Sequence, residues 1–135
     1  LGALVVATRS PSEASRQATV DGAVPFSAKG LAELRAAGTP VFIDMTADWC
    51  ITCKVNEKAV FHTAAFRDLL KRTGTVYMVG DWTNQDIEIS AFLDEYRAPG
   101  VPLYVVYPAN GGPGVKLPQL LSLELMRESL EAAAK

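Results

Sequence analysis

Cys50 and Cys53 are the only cysteines of the chain, and only Ile51 and Thr52 separate them. They follow Trp49 and the apolar run Val41-Phe42-Ile43-Asp44-Met45, and Lys54 comes directly after. The pattern predicts a buried strand that delivers the pair to the start of a helix. Unpaired backbone N–H groups and the helix dipole favour a thiolate there. That is the setting for thiol–disulfide exchange. Cys50, nearest the helix start, is the predicted attacking thiol. Cys53, one turn on along the same face and less accessible, is the predicted resolving thiol. On the cysteines alone, three other readings stay open. A zinc half-site would need four ligands, with only His62 as a further soft partner. The cysteines could be inert core residues. A structural disulfide would close so short a loop that it restrains the unfolded chain little.

Asp44 is the next informative residue. It lies in the apolar strand, and alternation puts Phe42, Asp44 and Thr46 on one face. Burial disfavours a charged carboxylate, so its pKa is expected to be raised. Beneath a dithiol, such a group could exchange the proton that Cys53 needs; alone, it could be a hydrogen-bonded structural Asp. Glu57 stands four residues past Cys53. It would either add a negative field near the dithiol or belong to the helix surface. Val101-Pro102 precedes another apolar run, and a proline needs no ladder N–H at a strand entrance. A cis bond there would point to function, but the sequence does not show the isomer. Trp82 reads as core rather than rim, His62 as a surface residue and Lys54 as solvated.

The elements that must position these residues follow from caps and periodicity. Ser27 starts a helix to about Ala37 that ends at Gly38, with Leu31 and Leu34 inward. Val41–Thr46 is the central strand, buried on both faces. A helix from about Cys50 to Lys58 follows, then one capped by Thr63 over Ala64–Arg72, with Phe66, Leu69 and Leu70 inward. Thr75–Gly80 is a strand, Asp81–Asn84 a polar turn, and Gln85–Tyr96 an amphipathic helix. Leu103–Tyr107 is a strong strand and Pro108–Gly114 a turn. Val115–Leu117 is a short edge strand, and Leu123–Ala134 a last helix capped by Ser122. This order predicts an α/β fold: a mixed central sheet of about four strands with helices on both faces.

The chain has 135 residues, 49% apolar and 21% charged, with a net charge of −2. That suits one domain with a real core. Lys and Arg form no basic stripe, so nucleic acid is not an expected partner. Residues 24–135 are the expected domain and residues 1–23 a linker or membrane-proximal tail. Leu1–Ala7 is apolar but far short of the ~20 residues of a spanning helix. It reads either as a loose end or as the tail of a preceding membrane segment or signal region.

Taken together, these residues resemble the thioredoxin superfamily: hydrophobic strand, buried Asp44, Ala47-Asp48-Trp49-Cys50-Ile51-Thr52-Cys53-Lys54, and Gly100-Val101-Pro102. The resemblance covers the chain from about Val24 onward. Within the superfamily the segment, with Glu57-Lys58, is most similar to the C-terminal periplasmic domain of DsbD-type transmembrane disulfide reductases. Asp81-Trp82-Thr83-Asn84 and Gly100-Val101-Pro102-Leu103-Tyr104 lean toward the ScsB-like branch. The resemblance implies a redox pair at Cys50 and Cys53, acidic residues beneath it at Asp44 and Glu57, and a cis-proline at Pro102. It implies a substrate groove of Trp49, Ile51, Thr52, Val101 and Pro102. It further implies a periplasmic, monomeric domain tethered to the inner membrane, with no cofactor or metal beyond the Cys50–Cys53 disulfide. Its partners would be a membrane-embedded redox domain and an N-terminal periplasmic domain of the same parent protein, or periplasmic thioredoxin-like proteins. Ile51-Thr52 departs from the Gly-Pro of ordinary thioredoxins; lacking charge or a fixed turn, it suggests a reducing pair. The alternatives are a free-standing periplasmic reductase, for instance of apocytochromes, and a non-enzymatic copper-binding module.

Overall fold

The computed structural model describes residues 22–135. The expected linker and apolar N-terminus lie outside the described residues, apart from their last two positions. Five strands form one sheet: β1 (Ala23–Pro25), β2 (Val41–Thr46), β3 (Val76–Asp81), β4 (Leu103–Tyr107) and β5 (Val115–Lys116). Their order across the sheet is β1-β3-β2-β4-β5. β1 and β2 run parallel to β3, while β4 runs antiparallel to both β2 and β5. The helices are α1 (Ala28–Ala36), α2 (Ile51–Asn56), α3 (Ala64–Thr73), α4 (Ile87–Glu95) and α5 (Leu123–Ala133). A π-helical turn, Glu57–Phe61, continues α2.

The expected sheet of about four strands is one strand short. The missing strand is β1, which includes Ala23 and so begins one residue inside the expected linker. It is only three residues long and contains Pro25, which gives no periodicity to read. A proline fits because β1 is an edge strand with a single neighbour. The next residue, Phe26, donates its N–H to Val79 O at 2.8 Å and extends the pairing.

Side-chain alternation along β2 divides the core into two. Val41, Ile43 and Met45 face a cluster with Leu31 of α1 and Ile89, Phe92 and Leu93 of α4. Phe42 faces the other way, into Phe61, Phe66, Tyr77 and Tyr104, with Met126 and Leu130 of α5 behind them. Phe42 stacks on Tyr77 at 5.6 Å, and Phe66 meets Tyr77 edge-on at 5.2 Å. Such ring pairs add about 0.5–1.5 kcal/mol each beyond their burial. Helix starts are fixed by side-chain caps: Ser27, Thr63, Asp86 and Ser122 each accept a backbone N–H. Each cap contributes about 1 kcal/mol. Gly74 closes α3 in the left-handed conformation at φ 69°, which costs glycine no Cβ clash.

The topology explains where chemistry can occur. β2 and β4 are antiparallel, and Met45 pairs with Leu103. The exit of β2, which leads to Cys50, therefore lies beside the entrance of β4, which follows Pro102. β3 runs parallel to β2 with Thr46 opposite Asp81. The Asp81–Asn84 turn thus reaches the same end of the sheet.

Candidate active site

Cys50 is the N-cap of α2, and its Sγ accepts the backbone N–H of Cys53 at 3.2 Å. The helix predicted from about Cys50 starts at Ile51, with Cys50 as its cap. A sulfur at this position meets an otherwise orphaned helix N–H and the positive end of the helix dipole. The two cysteines form a disulfide with Cα atoms 5.2 Å apart. Cys50 is 7% exposed and Cys53 1%, the order of access expected from their places on the helix. Ala47 and Val101 pack against the pair. The Val101–Pro102 bond is cis, and Pro102 is buried. Around the sulfurs stands an apolar rim: Trp49 is 55% exposed and Ile51 80%. Thr52 is half-buried.

Asp44 is buried on the aromatic face of β2. Tyr77 donates its hydroxyl to Asp44 Oδ2 at 2.7 Å, while Oδ1 has no partner. Burial pushes the carboxyl up to about 7; the Tyr77 hydrogen bond opposes this and the charge of Glu57 reinforces it. Tyr77 is itself raised well above the ordinary phenol value, chiefly by burial and then by Asp44. Glu57 is not plain helix surface. Its largely buried carboxylate accepts the Thr46 hydroxyl at 3.2 Å and pairs with Lys54 at 3.6 Å. Lys54 also reaches Asp48 at 3.8 Å, so it is a half-exposed ion-pair partner rather than a free solvated cation. Asp44 makes no hydrogen bond to either sulfur. The structure therefore pairs Asp44 with Tyr77 and Glu57 with Thr46, and the Glu57 charge acts on Asp44.

Four contributors carried no signal in the cysteine pattern. Tyr77 sits on β3, and only the strand register brings it to Asp44. Asn56, at the end of α2, is fully buried and donates to Tyr104 Oη at 2.8 Å and Gln119 O at 2.7 Å. Its Oδ1 accepts the Leu121 N–H at 3.0 Å. Thr83 holds the loop before Cys50 through Asp48 N–H at 2.8 Å and the Trp49 indole N–H at 3.2 Å. Trp82, expected in the core, is half-buried; its ring meets that of Trp49 at 5.9 Å. His62 is exposed, as expected. Among the described residues, no group of three or more His, Cys, Asp and Glu is arranged to hold a metal ion, and no helix is long and apolar enough to cross a membrane.

A Cys-x-x-Cys pair capping a helix beside a cis-proline, on a sheet of this order, is a thioredoxin-type arrangement. The chain belongs to the thioredoxin-like family, whose model matches residues 23–109. It is 35% identical over 77 residues to the thiol:disulfide interchange protein DsbD of Klebsiella pneumoniae, covering 57% of this chain and 12% of that protein. It is 37% identical over 86 residues to DsbD of Vibrio cholerae, covering 62% of this chain and 14% of that one. The chain thus spans a small fraction of the length of the curated relatives it matches. Among solved structures, the oxidised C-terminal domain of Neisseria meningitidis DsbD superposes with a TM-score of 0.64 at 24% identity. That match covers 81% of this chain and 97% of the domain.

Proposed function

We propose that this chain is a thiol:disulfide oxidoreductase domain of DsbD type, part of a longer, membrane-anchored protein with this domain in the periplasm. It takes reducing equivalents from a membrane-embedded redox domain and passes them to a partner disulfide, either an N-terminal domain of the same protein or a thioredoxin-like protein. Residues 24–135 form the working unit, and residues 1–23 tether it. The observation that carries the reading is Cys50 Sγ at the N-cap of α2, accepting the Cys53 N–H at 3.2 Å. The named relatives support the same chemistry.

In the reduced domain, the Cys50 thiolate keeps that N–H as its stabilising donor. It attacks one sulfur of the partner disulfide, and the other sulfur leaves as a thiolate. Cys53 then loses its proton, attacks Cys50 Sγ, and breaks the intermolecular bond. Two electrons pass to the partner, which leaves as a dithiol, and Cys50–Cys53 becomes the disulfide. Asp44 is the buried acceptor for the Cys53 proton, poised by a pKa near neutrality. Glu57 adds negative charge that makes Asp44 hold a proton more tightly. Trp49, Ile51, Thr52, Val101 and Pro102 form the groove that receives the partner.

The test is the equilibrium potential of the Cys50–Cys53 pair against glutathione, combined with trapping. A reducing potential is expected, and Cys53→Ser should accumulate a mixed disulfide with insulin that Cys50→Ser does not form. A potential near about −120 mV, typical of a strong oxidant, would overturn the reductase assignment.

A further inference from the structure

The turn after β3 contains residues that the exchange chemistry does not use. Asp81 Oδ1 accepts the Thr83 N–H at 3.0 Å and the Thr83 hydroxyl at 2.5 Å, closing an Asx turn. With its hydrogen donated to Asp81, the Thr83 hydroxyl presents only lone pairs elsewhere. It accepts the Asp48 N–H at 2.8 Å. The Thr83 carbonyl accepts the Trp49 indole N–H at 3.2 Å. One residue therefore grips two consecutive residues of the loop ahead of Cys50, one through its side chain and one through its backbone.

Trp82 completes the grip. Its N–H donates to Thr46 O at 2.7 Å and its indole N–H to Ser90 Oγ at 2.8 Å. With its backbone and ring both anchored, it backs the Trp49 ring at 5.9 Å. Gly100, two residues before the cis-proline, passes close to Trp82; a Cβ there would lie 3.5 Å from the ring. Trp49, more than half exposed, is thus braced by a turn that also touches the loop before Pro102.

We propose that Thr83 is a positioning residue of the exchange reaction: anchored by Asp81, it clamps Asp48 and Trp49 so that Trp49 forms a fixed wall for a docking protein disulfide. The inference rests on the thiol–disulfide reading above. A braced aromatic loses little conformational freedom when a partner lands on it, whereas a loose one must be ordered at that moment. A small disulfide reaches Cys50 without using the wall. Thr83 therefore acts on the choice between protein and small disulfides.

The test compares Thr83→Val with Thr83→Ser, which keeps the hydroxyl. Rates are measured on insulin and on hydroxyethyl disulfide, and the readout is the ratio of the two rates within each variant. Thr83→Val loses both hydroxyl bonds, the one to Asp81 and the one from Asp48 N–H, which predicts a fall of roughly tenfold in that ratio, restored by Thr83→Ser. Trp49 and Trp82 are the chain's only two tryptophans, so acrylamide quenching reports on this pair directly. It should rise in Thr83→Val and not in Thr83→Ser. A Thr83→Val ratio equal to wild type, or an equal loss in Thr83→Ser, overturns the assignment while leaving the function standing. A wild-type chain that exchanges with neither disulfide overturns the function and this assignment with it.

Discussion

Asp44 and Tyr77 meet through a single hydrogen bond of 2.7 Å, made by one carboxylate oxygen only. Tyr77 pairs with Phe42 across the β2–β3 ladder, so it reaches Asp44 diagonally from two positions away. One hydroxyl does not replace the water shell that two carboxylate oxygens lose on burial. Desolvation therefore outweighs the hydrogen bond, and Asp44 is left able to gain or lose a proton near pH 7.

The raised pKa sets the sign of a stability effect. Asp44 binds a proton more tightly in the folded chain than at its ordinary value of 3.8. Its contribution is therefore fully present below about pH 4 and is lost as pH rises to about 7. The loss is on the order of 4 kcal/mol. Asp44→Asn cannot ionise, so urea unfolding of the oxidised protein should show a smaller drop from pH 4 to pH 8 than wild type. Equal drops in the two proteins would refute a neutral, buried Asp44.

Glu57 and Lys54 should move Asp44 in opposite directions. Removing the Glu57 charge in Glu57→Gln takes away a repulsion and lowers the Asp44 pKa. Lys54→Met removes the cation paired with Glu57 and raises it. Lys54 is half exposed, so its effect should stay below about one pH unit and shrink with added salt. Carbon NMR titration of the Asp44 carboxyl reads both shifts, and shifts of the same sign would rule out this arrangement.

Gly80 lies opposite Met45 in the β2–β3 ladder. A Cβ at position 80 would collide with Met45 Sδ and stand 3.2 Å from Ile89 Cδ1. Gly80→Ala should cost about 1–3 kcal/mol by overpacking. In a Met45→Ala background the same substitution should cost less, because the colliding sulfur is gone. Additive costs in denaturant unfolding would show that the collision is relieved elsewhere.

Much of the site was legible because its signals are local. Cys50 and Cys53 are three positions apart, β2 is apolar from Val41 to Met45 except for Asp44, and Ser27, Thr63 and Ser122 cap their helices where the pattern places them. The helix predicted over Gln85–Tyr96 is shorter, Ile87–Glu95, because Gln85 adopts φ 55° and Asp86 is the true cap. The π turn at Glu57–Phe61 has no composition signal, so the pattern predicts one helix to Lys58 where the α-helix ends at Asn56 and the π turn carries on. Contacts between distant segments were hidden for another reason. Tyr77, Thr83 and Asn56 act on residues that only the strand register and helix packing bring near, and a polar type on an apolar face looks the same whether or not a partner awaits it.

Asn56 shows what such a hidden contact contributes. It ends the cysteine helix, yet its side-chain hydrogen bonds all leave that helix: two go to Gln119 and Leu121, ahead of α5, and one to Tyr104 on β4. The amide is fully buried, so truncation leaves the Gln119 carbonyl and Leu121 N–H without their partner in a site that water reaches poorly. Each unsatisfied buried group costs about 1–3 kcal/mol, so Asn56→Ala should lose roughly 3–5 kcal/mol. Asn56→Asp keeps the acceptor for Leu121 N–H but loses both donors and adds a buried charge. It should unfold more readily as pH rises, the reverse of what a surface position would show. Thermal unfolding of both variants at low and neutral pH checks the claim. A loss below about 1 kcal/mol for Asn56→Ala would mean the segment before α5 holds its place without the anchor.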